Sequence, residues 1–124
     1  MKLRIRGNSI RLRLTRGEVE EFIASGTVEE TVDFGPRKQG FTYALATVSS
    51  GGNILAEYMD NRLCIHVPEN IVKDWAATNQ TGIESNNSQG LLRILIEKDF
   101  ECLAPRAGED ESDMFPNPKD SICQ

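Results

Sequence analysis

The chain has 124 residues, a formal net charge of −5 at pH 7 and 27% charged residues, a composition typical of one soluble domain that buries its own core. Its acidic balance argues against general nucleic-acid binding, and no apolar run approaches the roughly 20 residues that a membrane span needs. Three cysteines without a CxxC pair argue against a disulfide framework, so a reducing cytoplasm is the expected location.

Residues 2–48 predict two strands, a helix and two more strands. The strands alternate apolar with polar residues and cover Lys2–Arg6, Ile10–Leu14, Val28–Phe34 and Phe41–Val48. The helix begins at a capping-box pattern, in which Thr15 is followed by Glu18. We expect it to end at Gly26, which suits a left-handed C-cap. The N-terminal residues mix charged and apolar side chains, so we do not expect them to form a signal peptide.

Residues 54–98 repeat this order at an offset of 53, which aligns Asn8 with Asn61. Apolar positions and the breaks between elements match in kind, which predicts a duplicated unit. The second set of predicted strands covers Ile54–Met59, Leu63–Val67, Thr81–Glu84 and Leu91–Lys98. Pro68 suits the first turn of the second helix, and Asn79 is its expected left-handed C-cap.

The predicted fold is therefore α+β, a duplicated ββαββ unit with repeats at about residues 2–48 and 54–98. Short loops favour a mainly antiparallel sheet, arranged as a sandwich or an open barrel with two helices. We expect one domain over residues 1–104. Residues 105–124 form an acidic, proline-containing C-terminal tail, whose large apolar residues predict an extended strap that is partly docked.

The main candidate site is an anion site formed by arginines of the first hairpin, Arg4, Arg6, Arg11 and Arg13. Strand periodicity places the two arginines of each strand on one face. If both faces are on the same side, a phosphate, a carboxylate ligand or an acidic segment of a partner protein would neutralise the crowded guanidinium groups. The alternative is internal neutralisation by other acidic groups: Glu29, Glu30, Asp33, Glu57 or the acidic tail.

Cys64 and His66 share the non-core face of one strand, and a soft metal could use Cys102 as a third ligand. Structural zinc needs four ligands, so a half-buried surface pair is the favoured interpretation, and neither a metal nor a cofactor is expected. Catalysis by a Cys–His pair would need a lowered thiol pKa. The acidic run from Glu109 to Asp113 lacks the spacing of a calcium loop.

The favoured function is a non-enzymatic domain that binds a small anionic ligand or an acidic protein segment, with neither nucleic acid nor membrane as a partner. The runner-up is a phosphate-substrate hydrolase of triphosphate-tunnel type, although Lys2–Arg6 lacks the alternating carboxylates of those enzymes. Such an enzyme needs carboxylates beside the arginines, and Glu57 and Glu97 are the best placed. A third possibility is a structural or oligomer-forming protein with internally paired arginines; the oligomeric state stays open.

Three motifs resemble a family of small uncharacterised bacterial proteins, a domain of unknown function. They are GNSIRLRLT at residues 7–15, EKDFECL at 97–103 and EDESDMFPNP at 109–118. The resemblance implies a cytoplasmic bacterial protein of about this length, in which the tail is part of the fold. It implies no activity.

Overall fold

A computed structural model describes residues 1–85, 91–100 and Phe115. Within these residues the chain forms strands and helices in the order ββαββ, twice. The first half contains β1 (Lys2–Arg6), β2 (Ser9–Leu14), α1 (Arg16–Ser25), β3 (Thr27–Val32) and β4 (Phe41–Val48). The second half contains β5 (Leu55–Met59), β6 (Arg62–Pro68), α2 (Glu69–Ala77), β7 (Gly82–Ser85) and β8 (Arg93–Lys98). The α+β class is as predicted, and the element order is consistent with a duplicated ββαββ unit.

The strands form two four-stranded sheets, sheet A with the order β1-β2-β8-β7 and sheet B with the order β3-β4-β6-β5. Each sheet takes one hairpin from each half of the chain. The hairpins are antiparallel, as their short loops predict, but the central pairs β2–β8 and β4–β6 are parallel. Among the described strands neither sheet closes into a barrel.

The two sheets also share one pairing register. Ser9 lies opposite Arg93 in sheet A, and Arg62 lies opposite Thr42 in sheet B. Arg62 follows Ser9 by 53 residues and Arg93 follows Thr42 by 51 residues, so the two halves exchange places between the sheets. Because these offsets persist along both ladders, each position of sheet A has a defined equivalent in sheet B.

Among the described residues, one hydrophobic core joins both sheets and both helices. Phe22 of α1 and Trp75 of α2 are fully buried in it, together with strand residues that include Leu12, Leu45, Ile65 and Ile96. Burying one such large apolar side chain stabilises the fold by about 1.5–3 kcal/mol. Because strand side chains alternate between faces, the inner faces of both sheets are committed to this core and the outer faces carry the remaining side chains.

The first helix begins and ends as the sequence predicts. Thr15 and Glu18 form the reciprocal hydrogen bonds of a capping box, and Gly26 adopts the left-handed conformation at φ 83. The N–H of Gly26 donates to the carbonyl of Phe22 at 2.9 Å, which satisfies a carbonyl of the last turn.

The second helix departs from the prediction at both ends. Pro68 is the last residue of β6 and the N-cap, rather than a residue of the first turn. The expected left-handed cap at Asn79 is wrong, because the C-cap is Thr78 in an extended conformation and Asn79 has no positive φ. Side chains satisfy the terminal carbonyls instead: Lys98 Nζ donates to the Thr78 carbonyl at 2.7 Å, and the Thr78 hydroxyl donates to the Asp74 carbonyl.

Phe115 is the described residue of the predicted tail. Its N–H donates to the Asp99 carbonyl at 2.9 Å, and its ring centroid lies 5.8 Å from that of Phe100. The rest of the predicted tail, residues 105–114 and 116–124, lies outside the described residues. In the part of the chain that is described, no helix has the length and apolar character needed to cross a membrane.

Candidate anion-binding site

The four predicted arginines lie together on the outer face of sheet A. The hairpin register places Arg4 directly opposite Arg11 and Lys2 opposite Arg13. By strand alternation the same face carries six basic residues and two acidic ones: Lys2, Arg4, Arg6, Arg11, Arg13 and Arg93, with Glu84 and Glu97. Guanidinium groups at cross-strand distance repel by about 1 kcal/mol in water-like surroundings, so this face needs negative charge.

Part of that charge is supplied by Glu97 of β8. One of its carboxylate oxygens, Oε1, lies 2.7 Å from Nε of Arg13 and 3.3 Å from Nε of Arg11. The Glu97 side chain is only 15% exposed, so water screens these ion pairs weakly. Two of the four predicted arginines therefore have an internal partner, and sequence reasoning had not assigned Glu97 that role.

Three of the body residues expected to neutralise the arginines, namely Glu29, Glu30 and Asp33, have other partners. Glu29 pairs with Arg62 of sheet B at 2.5 Å, and Asp33 accepts a hydrogen bond from the N–H of Gly35 at 2.9 Å. Glu30 accepts from the Tyr43 hydroxyl at 2.6 Å and from the N-terminal ammonium at 3.0 Å. Burial alone would raise the pKa of Glu30, but these two hydrogen bonds and the charge of the ammonium lower it. The acidic run of the tail lies outside the described residues.

Arg4 and Arg6 are exposed, and neither forms an ion pair within the described ranges. They line a groove of about 440 Å³ together with Ser9, Arg11, Glu84 and Arg93. Arg93 is held loosely, with its Nη2 3.4 Å from Oε1 of Glu84. The groove thus presents several guanidinium groups, each a planar set of N–H donors that matches a phosphate or a carboxylate.

The segment after Glu97 supplies a further carboxylate, that of Asp99, to the basic residues of sheet A. Lys2 Nζ lies 3.2 Å from Oδ2 of Asp99, a buried carboxylate. Oδ2 has no hydrogen-bond partner among the described residues. Its contact with Lys2 is therefore an ion pair whose geometry is not that of a hydrogen bond. Lys2 is therefore partly neutralised, whereas Arg4 and Arg6 have no ion-pair partner in the part of the chain that is described.

Cys64 and His66 lie on the outer face of sheet B, at positions equivalent to Arg11 and Arg13. They line a second groove, of about 430 Å³, with Glu57, Met59, Asp60 and Arg62. Burial raises the pKa of the Cys64 thiol, and the charge of Arg62 opposes this only in part. That direction is opposite to the one a catalytic thiolate needs. Among the described residues no three potential ligands gather to hold a metal, and Cys102 lies outside them.

The carboxylates that a hydrolase would require do not meet. Glu97 lies beside Arg11, but Glu57 is on β5 of sheet B, opposite Cys64. The sequence could not reveal this separation, because it depends on which hairpin joins which sheet. The available signal for Glu97 was its even spacing from Arg93 on a predicted strand, which places both polar residues on one face.

The chain belongs to a family of unknown function, DUF7009, whose match covers residues 1–119. No curated protein and no solved structure matches the chain. The family membership agrees with the resemblance predicted from the sequence and covers nearly all of the chain. It assigns neither a ligand nor an activity, so any function must be argued from the site.

Proposed function

We propose that this member of the DUF7009 family is a non-enzymatic domain that binds an anionic ligand, or an acidic segment of a partner protein, in the groove on the outer face of sheet A. The observation that carries the proposal is the pair Arg4 and Arg6, exposed in the groove and without a carboxylate partner in the described ranges. A bacterial, cytoplasmic setting is part of the proposal and is supported by the motif resemblance and the cysteine pattern.

Glu97 supports the proposal by pre-organising the floor of the groove. It engages Arg11 and Arg13 through their Nε atoms, and a guanidinium group has further N–H donors beyond that one. A ligand can therefore add to Arg11 without displacing Glu97. Fixing the donors before a ligand arrives reduces the entropy lost on binding.

The phosphate-substrate hydrolase is less well supported by the geometry. Glu97 is occupied by two arginines, and Glu57 lies in the other sheet, so these two carboxylates cannot jointly bind a metal beside Arg4. A structural or oligomer-forming role would require partners for Arg4 and Arg6 as well.

The test is a thermal-shift series with phosphate, pyrophosphate, citrate and a nucleoside triphosphate, each with and without magnesium. A ligand at a hundredfold excess over its Kd stabilises the folded state by about 2.7 kcal/mol. We expect a rise in Tm for the unmodified protein that is lost in Arg4→Gln/Arg6→Gln. This pair is preferable to Arg11 and Arg13, because removing either of those arginines would leave Glu97 underpaired and alter stability directly.

The matched control is Arg37→Gln/Lys38→Gln, which removes two exposed charges from the loop between β3 and β4. It should keep the response to anions. If no anion shifts the unmodified protein, the groove does not bind a small anion, and if both double variants keep the response, any anion binds elsewhere. A strict requirement for magnesium would favour the hydrolase.

A further inference from the structure

The strand that carries Arg4 and Arg6 is also an edge strand. β1 pairs with β2 on one side and, among the described residues, with nothing on the other. The backbone N–H and C=O groups directed away from β2 can therefore accept another strand, which is how extended peptides add to an exposed sheet edge.

The two faces of β1 have different chemistry. Lys2, Arg4 and Arg6 point to the outer face, whereas Leu3 and Ile5 point to the inner face. Ile5 is 59% exposed although it lies on the apolar side of this edge strand. A strand added here would meet a row of positive charges on one face and an uncovered apolar side chain on the other.

From these observations, and building on the proposed function, we infer that the ligand of the arginine groove is an extended acidic segment of another protein, which adds to β1 as a fifth strand of sheet A. The segment has Asp or Glu at alternate positions and apolar residues between them. Its acidic side chains would lie opposite Lys2, Arg4 and Arg6 at the usual cross-strand distance, and an apolar one would cover Ile5. The backbone ladder supplies affinity, and the alternation of charge supplies specificity.

A second copy of this chain fits the edge poorly. Pairing β1 with another β1 would place basic residues opposite one another, which is destabilising. The other described edge strands lack acids at alternate positions: β3 has the adjacent pair Glu29 and Glu30, β5 has Glu57 alone and β7 has Glu84 alone. Charge complementarity therefore favours a different protein as the partner.

The inference is tested with a short capped peptide in which glutamate and valine alternate. Its affinity for the full chain is measured by calorimetry, and hydrogen exchange of the backbone amides is followed on binding. We expect micromolar to millimolar binding that weakens as salt is added, and slower exchange at amides of β1. Arg4→Gln/Arg6→Gln should bind about tenfold more weakly at low salt, from the loss of two exposed ion pairs. Arg37→Gln/Lys38→Gln should bind normally.

Two peptide controls isolate strand addition from charge. One has the same composition with all glutamates followed by all valines. The other is methylated at alternate backbone nitrogens and is made in two versions, one methylated at the odd and one at the even positions. Strand addition predicts that the block peptide binds more weakly and that one methylated version does not bind. If both controls bind as well as the parent and β1 amides stay unprotected, strand addition is overturned while anion binding stands.

The remaining outcomes separate the inference from the proposed function. Binding of pyrophosphate without binding of any peptide would overturn the inference and leave the anion site intact, and binding of neither would overturn both. If peptide binding appears only after Glu109→Gln/Glu111→Gln/Asp113→Asn, the chain's own acidic run is the occupant, and the assignment to another protein is wrong.

Discussion

The outer faces of the two sheets share one backbone pattern and differ in chemistry. At an offset of 53 residues, four residues that line the groove of sheet A correspond to four that line the groove of sheet B: Arg4 to Glu57, Arg6 to Met59, Ser9 to Arg62 and Arg11 to Cys64. The residue types of the inward-facing positions are constrained in both sheets, because these side chains must fill the shared core. The outward residues are free to differ, so the two grooves, similar in size, offer different chemistry.

The two faces also differ in how their half-buried positions are filled. Where sheet A has Arg13, the adjacent strand supplies Glu97; where sheet B has His66, the adjacent strand has Ala46. Arg13 and Glu97 form a partly buried ion pair, whereas His66 and Ala46 need none. The edge strands follow the same division, since β1 is basic and β5 is mostly apolar and exposed.

The largest expected effect comes from replacing Glu97 with alanine, the residue at the equivalent position of sheet B, Ala46. Glu97→Ala leaves Arg11 and Arg13 without their shared carboxylate, so we expect a loss of about 2 kcal/mol in the free energy of unfolding, measured with urea. The control is Glu84→Ala, which breaks an exposed 3.4 Å pair and should cost no more than about 0.5 kcal/mol. Equal losses in the two variants would show that Glu97 has no special role.

The next effect contrasts the ends of the two helices. α1 ends at a left-handed glycine, whereas the carbonyl of Thr78, the C-cap of α2, accepts a hydrogen bond from Lys98. The ammonium of Lys98 also lies 5.8 Å from the centroid of Trp75. Lys98→Met keeps the volume and removes the donor, and we expect a loss of about 1 kcal/mol near pH 7. Burial lowers the pKa of Lys98, so burying the charge has a cost of its own. If the variant is as stable as the parent, the cost of burying the Lys98 charge equals the stabilisation from its hydrogen bond.

An effect of similar size that depends on pH concerns the inner faces, where Tyr43 of sheet B occupies the position of Ile94 in sheet A. Burial and the hydrogen bond to Glu30 raise the pKa of Tyr43 from 10.0 to about 12. Because the folded state favours the protonated phenol, this contribution to stability is complete below pH 10 and is lost as the pH rises toward 12. Tyr43→Phe should cost about 1 kcal/mol at neutral pH.

The check is the difference in unfolding free energy between the parent protein and Tyr43→Phe, followed across that alkaline range. Other titrating groups cancel in the difference. It should be constant at neutral pH and shrink above pH 10, where the phenol of the unfolded chain ionises. A difference that does not change with pH would contradict the assigned hydrogen bond.

The smallest effect is chemical reactivity in the groove of sheet B. Because burial raises the pKa of Cys64, its thiolate fraction near pH 7 is reduced, and alkylation by iodoacetamide should be slower than for an unhindered thiol. The rate is measured in a Cys102→Ser/Cys123→Ser background, so that Cys64 alone reports. Arg62→Gln should slow the reaction further, since Arg62 opposes the rise in pKa. A rate above that of the unhindered thiol would revive a reactive role for Cys64.

Short-range signals in the sequence account for much of the fold. The alternation of Ile10, Leu12 and Leu14 predicts β2, and the capping box of Thr15 with Glu18 predicts the start of α1; both are observed. These features depend on side-chain alternation and on hydrogen bonds between residues of one strand or one helical turn, so a short stretch of sequence contains all that is needed to predict them. The repeat offset predicts the order of elements for the same reason.

The tertiary structure decided how those elements combine. The parallel pairing of β2 with β8 brings Glu97 to Arg11 and Arg13, while the pairing of β5 with β6 separates Glu57 from them. Lys98 likewise reaches the end of α2 only because β8 lies beside it, which removes the need for a left-handed Asn79. Strand partners are chosen by burial of the shared core, a property of the whole chain. The sequence by itself identified the arginines of the candidate site, and the fold determined which of them pair with Glu97.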